Sequence, residues 1–265
     1  MIEYFEIPGV GGVATGLLVP AWRVTTCSQY VDAGPMWTRE RIEEVLSHPL
    51  RATRSQLFGD PWIRNQGNVG SCNGFAAASA LERTRWLRGL PTVKLSGVGL
   101  YAAINGGQDR GSMLDDGMQW MQRQGVPPDS LVPEFEWRKS KILSEAWEEA
   151  KRFKGFECYG ISSAEELASA LAAGFVCVIA VHAGNGGLSP DNVVDWGNGP
   201  GNHAVCCDDL RIRGGRYEFQ IANSWGLNWG ERGRAWLQWD RHLSQPIRSH
   251  FFYAVRAATD DPQET

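Results

Sequence analysis

No stretch of this chain is dense in lysine or arginine, and no apolar run is long enough to cross a bilayer. The formal net charge is -4, from 30 acidic against 26 basic residues, which gives no footprint for a nucleic-acid partner. The apolar stretch from Gly9 to Ala21 is short, follows the acidic Glu3 instead of a basic leader, and has no small-residue cleavage site. It reads as neither a signal peptide nor a membrane span. A cytoplasmic location with no membrane insertion is therefore the default expectation, with export by another route left open. Cysteine is also too scarce to build a framework. If one of the six acts as a nucleophile, Cys27, Cys158, Cys177, Cys206 and Cys207 remain, and an odd remainder argues against complete pairing. Cys177 lies in the apolar run Phe175 to Val181, as a buried thiol would. A reducing compartment with few or no disulfides follows.

What the chain does contain is organised around Asn65 to Leu81, where a glycine-punctuated polar loop passes into an alanine-rich run with helical spacing. That places Cys72 at or near the first turn of a buried helix. Unpaired N–H groups at a helix start favour a thiolate, so Cys72 is expected to be accessible and acid-shifted. Gly201 to Val205 then supplies an imidazole, His203, and Ile221 to Gly230 supplies a carboxamide, Asn223. The other histidines, His48, His182, His242 and His250, have no such block beside them. The run His203, Cys206, Cys207, Asp208, Asp209 could be mistaken for a metal site. On a strand, however, Cys206 and Cys207 would point to opposite faces, and no second ligand pair completes a tetrahedral set. Neither a metal nor a cofactor is expected.

These blocks resemble the papain-like cysteine peptidases, in which a Gly-Ser-Cys block is followed by its His and Asn roughly 130 to 150 residues later. Here His203 lies 131 residues after Cys72 and Asn223 lies 151 after it. The resemblance covers about Asp60 to Gly230, with a strand-rich tail to about Val255. It implies Cys72 as nucleophile, His203 as general base and acid, Asn223 as the residue that orients the imidazole, and Gln66 as an oxyanion donor. It implies that Trp225 shields the His–Asn bond and counts among the substrate-site residues. Gly111, or Gly106 and Gly107, would form a cleft wall along which a peptide backbone can pair. Val69 and Asn73 depart from the cysteine and aromatic usual at those places. The function implied is a cysteine endopeptidase acting on a protein or peptide substrate. The same triad chemistry also serves isopeptidases, amidases and transglutaminases, and a fold of this kind can persist as a silent binding module. Nothing in the sequence specifies an oligomeric state.

The expected fold class is α+β, a two-lobed papain-like arrangement. Residues 60–130 form a mainly helical lobe and residues 131–265 a mainly antiparallel β-sheet or barrel lobe. Ser96 and the Ser163–Glu166 pair read as helix starts, and Gly214-Gly215 as a hairpin turn. The charges of Arg83 to Arg88 read as a solvated helical face. Residues 1–59 fall outside the family pattern. They carry Tyr4, Phe5, Ile7, Leu17, Leu18, Trp22, Trp37, Ile42 and Leu46, too many apolar groups for a free tail. They are expected to dock as a strap around the lobes or as a cover over the cleft, and their shortness favours wrapping.

Overall fold

A computed structural model describes residues 2–155, 157–256 and 258–259. The chain opens with a hairpin of β1 (Tyr4–Ile7) and β2 (Gly11–Ala14), then crosses an exposed loop to a short strand β3 (Ser28–Gln29). Three short helices follow: α1 (Tyr30–Ala33), α2 (Arg39–Ser47) and α3 (Arg54–Leu57). Thr38 starts α2 by accepting the Arg41 N–H at 3.3 Å. These elements share the main core, to which Val13, Leu17, Cys27, Tyr30 and Ile42 contribute.

Helix α4 (Cys72–Leu87) is the central element, and every residue from Cys72 to Arg85 is buried. Its alanines allow close approach from all sides. Helices α5 (Gly97–Ile104) and α6 (Leu114–Arg123) pack on it to form the helical lobe. Ser96 caps α5 by accepting the Gly99 N–H at 3.0 Å. A short helix, α7 (Ser144–Ala150), follows them.

The second lobe is built on β4 (Lys154–Gly155), β5 (Cys158–Ile161), α8 (Ala164–Ala172), β6 (Val176–Val181), β7 (His203–Arg213), β8 (Arg216–Ala222), β9 (Arg234–Gln238), α9 (Pro246–Ser249), β10 (Phe252–Val255) and β11 (Ala258–Thr259). The main sheet has the order β3-β5-β10-β6-β7-β8-β9, antiparallel except at its β3–β5 edge. Successive strand side chains alternate faces, so the complete burial of β6 means that both faces of the sheet are covered. The architecture is the expected α+β pair of lobes.

The charges of α4 form no solvated face. Arg83 and Arg85 are buried, and Glu82 receives the Arg64 guanidinium at 2.8 Å through both oxygens. Arg83 Nε donates to Asp208 of β7 at 3.0 Å, and Arg234 of β9 donates to both Asp208 oxygens at 2.9 Å. The same guanidiniums reach the Trp62 and Phe58 carbonyls, fastening the chain just ahead of the Cys72 loop. Burial pushes the Asp208 pKa up, but Arg234 and Arg83 outweigh it and hold the carboxyl below its ordinary value. The sequence pattern misleads here because α4 is enclosed on every side from Cys72 to Arg85, and only its last turn, with Trp86, reaches solvent.

Removing one member of such a group leaves buried charge uncompensated. Asp208→Asn should cost about 3–5 kcal/mol of unfolding free energy. Asp60→Asn, which breaks only the exposed Arg232 pair, should leave the urea midpoint within error of the parent. Equal midpoints for both variants would show that the buried group carries no such weight.

Candidate active site

Cys72 sits at the N-terminus of α4, where Ser71 precedes it without a side-chain cap. No side chain takes the first-turn N–H groups, and those of Cys72 and Asn73 act on the sulfur and favour its thiolate. Ala204, next to His203 on β7, adds its N–H, as does Gly16 from the N-terminal segment. His203 begins β7, and its Nε2 lies 2.8 Å from Asn223 Oδ1. The Ser224 N–H also donates to that oxygen at 2.8 Å, which identifies it as an acceptor. Nε2 consequently carries the ring proton, and Nδ1 holds a lone pair with no hydrogen-bond partner among the described residues.

Trp225 is fully buried and stacks on the His203 ring at 4.7 Å, so it touches the imidazole and not the groove. Its place is a shield, not a substrate contact. Trp196 and Trp229 complete the box, with Trp196 edge-on to His203 at 6.5 Å and packed on both other indoles. Trp196 carries no sequence signal beyond its type. Gln66 is locked from below by Ser224, whose hydroxyl donates to Gln66 Oε1 at 2.5 Å, and its backbone N–H meets the Ser224 carbonyl at 2.9 Å. The amide nitrogen is thereby aimed into the groove.

The groove is filled by the chain itself. Gln66 Nε2 donates to the Ala14 carbonyl at 3.0 Å, and Leu17 N–H donates to the Asn202 carbonyl at 3.0 Å. On the opposite wall the Ser112 N–H donates to the Gly16 carbonyl at 2.9 Å, and Leu18 N–H donates to the Ser112 carbonyl at 3.0 Å. Gly111 lies against Gly16 with φ of 92°, and a Cβ on it would overlap the Gly16 carbonyl. Gly106 and Gly107 stand on an exposed turn, Gly106 beside the Arg110 guanidinium and Gly107 with open space around it, so the segment pairs with Gly111-Ser112 and not with the earlier pair. Asn73 replaces the usual aromatic with a different device. Fully buried, it donates to Ser112 Oγ at 3.1 Å and to the Met113 carbonyl at 2.6 Å, tying the cleft wall to the first turn of α4.

The expectation of an accessible, acid-shifted thiol is overturned. With residues 13–18 in place Cys72 has no exposed surface, and burial pushes its thiol up to about 11 despite the surrounding N–H groups. Burial likewise pushes His203 down to about 4, against the Asn223 hydrogen bond. At neutral pH both groups are uncharged, because the covering backbone excludes the water that would solvate an ion pair.

Comparison with known proteins bears on the family and the fold. The chain is 26% identical over 184 residues to cathepsin K of Mus musculus, an alignment that takes in 66% of this chain and about half, 55%, of that relative. Among solved structures, xylellain, a cysteine protease from Xylella fastidiosa, superposes with a TM-score of 0.63 at 22% identity, covering 92% of this chain and 96% of that one. A digestive procathepsin L from the larval midgut of Tenebrio molitor does so with 0.60 at 18% identity, covering 90% and 77%. At those identities the structures speak for the fold. The family model described as papain family cysteine protease matches residues 59–255, and the chain belongs to that family.

Proposed function

We propose that this chain is a cysteine endopeptidase whose cleft is closed by its own residues 13–18. The observation that carries the reading is a peptide backbone hydrogen-bonded to both walls of a groove that also holds Cys72, His203, Asn223 and Gln66. Once the groove opens to water, the free His203 Nδ1 takes the thiol proton and the resulting thiolate attacks an amide carbonyl carbon. Asn223 keeps the ring in the tautomer that leaves Nδ1 available. Gln66 Nε2 and the Cys72 N–H donate to the oxygen as it gains charge. His203 then protonates the departing amine, and water resolves the thioester.

The seated segment is a poor substrate for a physical reason. It sets an amide N–H, that of Gly16, against the sulfur, and attack requires a carbonyl carbon there. Gly16 also permits the seating, because a Cβ on it would overlap the Gly70 carbonyl.

Gly16→Ala in the full chain should therefore unseat the cover. Iodoacetamide labelling of Cys72 and turnover of a fluorogenic peptide mixture should both rise, by about tenfold or more. Identical labelling and turnover in the two proteins would sink the cover. Adding Cys72→Ser to Gly16→Ala should abolish turnover, and residual hydrolysis above background would remove Cys72 as nucleophile. Adding Gln66→Ala should lower kcat roughly 100-fold, as the loss of one oxyanion donor does.

A further inference from the structure

We propose that Cys27 and Cys158 are a disulfide site, oxidised by exchange with a low-molecular-weight disulfide, that staples the N-terminal segment to the β lobe. A single such bond stays within the expectation of few or no disulfides. All six thiols are free in the structure, yet Cys27 Sγ and Cys158 Sγ lie 3.1 Å apart. Backbone register accounts for the approach. Strand β3 pairs parallel with β5, Ser28 opposite Tyr159 and Gln29 opposite Gly160, so the next step back sets Cys27 opposite Cys158. Neighbouring strands lie about 4.8 Å apart, within the span that a disulfide bridges. The Cys27 backbone is held by its N–H donating to Thr25 Oγ1 at 3.1 Å, and the adjacent Thr26 N–H donates to Asp115 at 2.9 Å.

Access separates this pair from the others. Cys177 and Cys207 are also cross-strand partners, but both are completely buried in the middle of the sheet. Cys27 is at the sheet edge and keeps 8% of its surface exposed, the largest value among the cysteines. The exchange balances in two steps. The Cys27 thiolate attacks one sulfur of the reagent disulfide, forming a mixed disulfide and expelling one thiolate. The Cys158 thiolate then attacks Cys27 Sγ, forming the internal bond and expelling the second. Two protein thiols lose two protons and two electrons, and the reagent leaves as two thiols.

The site has a structural consequence. Between the groove-filling residues and Cys27 the chain is exposed, with Trp22 73% accessible. After Cys27 it runs into Tyr30, which is buried edge-on against Tyr159 and Phe175. A bond at Cys27 would fix the point at which a departing cover stops peeling. The groove could then open without unzipping β3 from the sheet. The proposal does not depend on peptidase activity, and its test requires none.

The test incubates the full chain with millimolar oxidised glutathione at mildly alkaline pH for hours, then alkylates it under denaturing conditions. Alkylatable thiols should fall from six to four, with a Cys27–Cys158 cross-linked peptide in the non-reducing map. The thermal midpoint should rise by roughly 5 °C or more, given the long loop closed, and return on reduction. Cys27→Ser and Cys158→Ser should show neither the cross-link nor the shift. A glutathione adduct without the cross-link, a cross-link at Cys177–Cys207 instead, or six thiols still free would each overturn the proposal. So would the cross-link forming with an unchanged or lower midpoint, since a staple must stabilise the segment it holds.

Discussion

The buried Asp208 carboxylate, held between Arg83 and Arg234, fixes the distance relations on which the rest of the molecule depends. Cys72 and His203 belong to different elements, one helical and one extended, joined far below the groove at the Arg83–Asp208 contact. From Arg83 back to Cys72 the helix rises about 16 Å at its regular pitch. From Asp208 back to His203 the strand covers about 16 to 17 Å. The two arms match, so fastening their lower ends brings the thiol and the imidazole to the same level. Arg234 and Arg83 extend the joint to the carbonyls of Phe58 and Trp62. They thereby anchor the start of the loop that carries Gln66.

Around that joint the groups of the groove are positioned by the sheet and loop backbone more than by each other. Asn223 directly follows β8 and Ser224 comes next, and Ser224 serves two neighbours at once. Its N–H selects the Asn223 oxygen that faces His203, and its hydroxyl and carbonyl hold Gln66. One residue between Asn223 and Trp225 therefore couples the imidazole tautomer to the aim of the oxyanion donor. On the other wall Asn73 does the comparable task, holding Ser112 where a peptide backbone can pair with it. The departure at Asn73 is thus not a loss of the site. A hydrogen bond replaces the packing of an aromatic ring.

The parts of this arrangement that are legible in the sequence are those with local chemistry. Ser96 and Ser163 accept N–H groups at their helix starts, Gly214-Gly215 turns a hairpin with both residues at positive φ, and the order Cys72, His203, Asn223 follows the family spacing. Arg83 and Arg85 mislead because a buried arginine and a solvated one look alike until the partner is known, and Asp208 lies 125 residues away from Arg83. The seating of residues 13–18 leaves little trace for a related reason. It is made by backbone hydrogen bonds to Gln66, Ser112 and Asn202, which any sequence can offer. Only Gly16 is demanded, and one glycine among Gly9, Gly11 and Gly12 does not stand out from its neighbours. Trp196 is hidden because an isolated tryptophan in a loop does not announce the three rings that it joins.

The covered state is chemical as well as steric. A peptide lying over the groove with water beneath it would block substrate but leave the thiol able to ionise. Here the segment hydrogen-bonds to both walls and leaves Cys72 and His203 with no exposed surface. Desolvation then acts in opposite directions on an acid and a base, raising one and lowering the other, and both shifts favour the same uncharged pair. The helix N-terminus and the Ala204 N–H, which favour a thiolate, are present but outweighed while the backbone of Gly16 occupies the site. Removing that backbone needs no rearrangement of the residues beneath it. Their positions are set by Asp208, Ser224 and Asn73, whose hydrogen bonds run to the walls and the core and not to the segment, so the groove is organised before it is open.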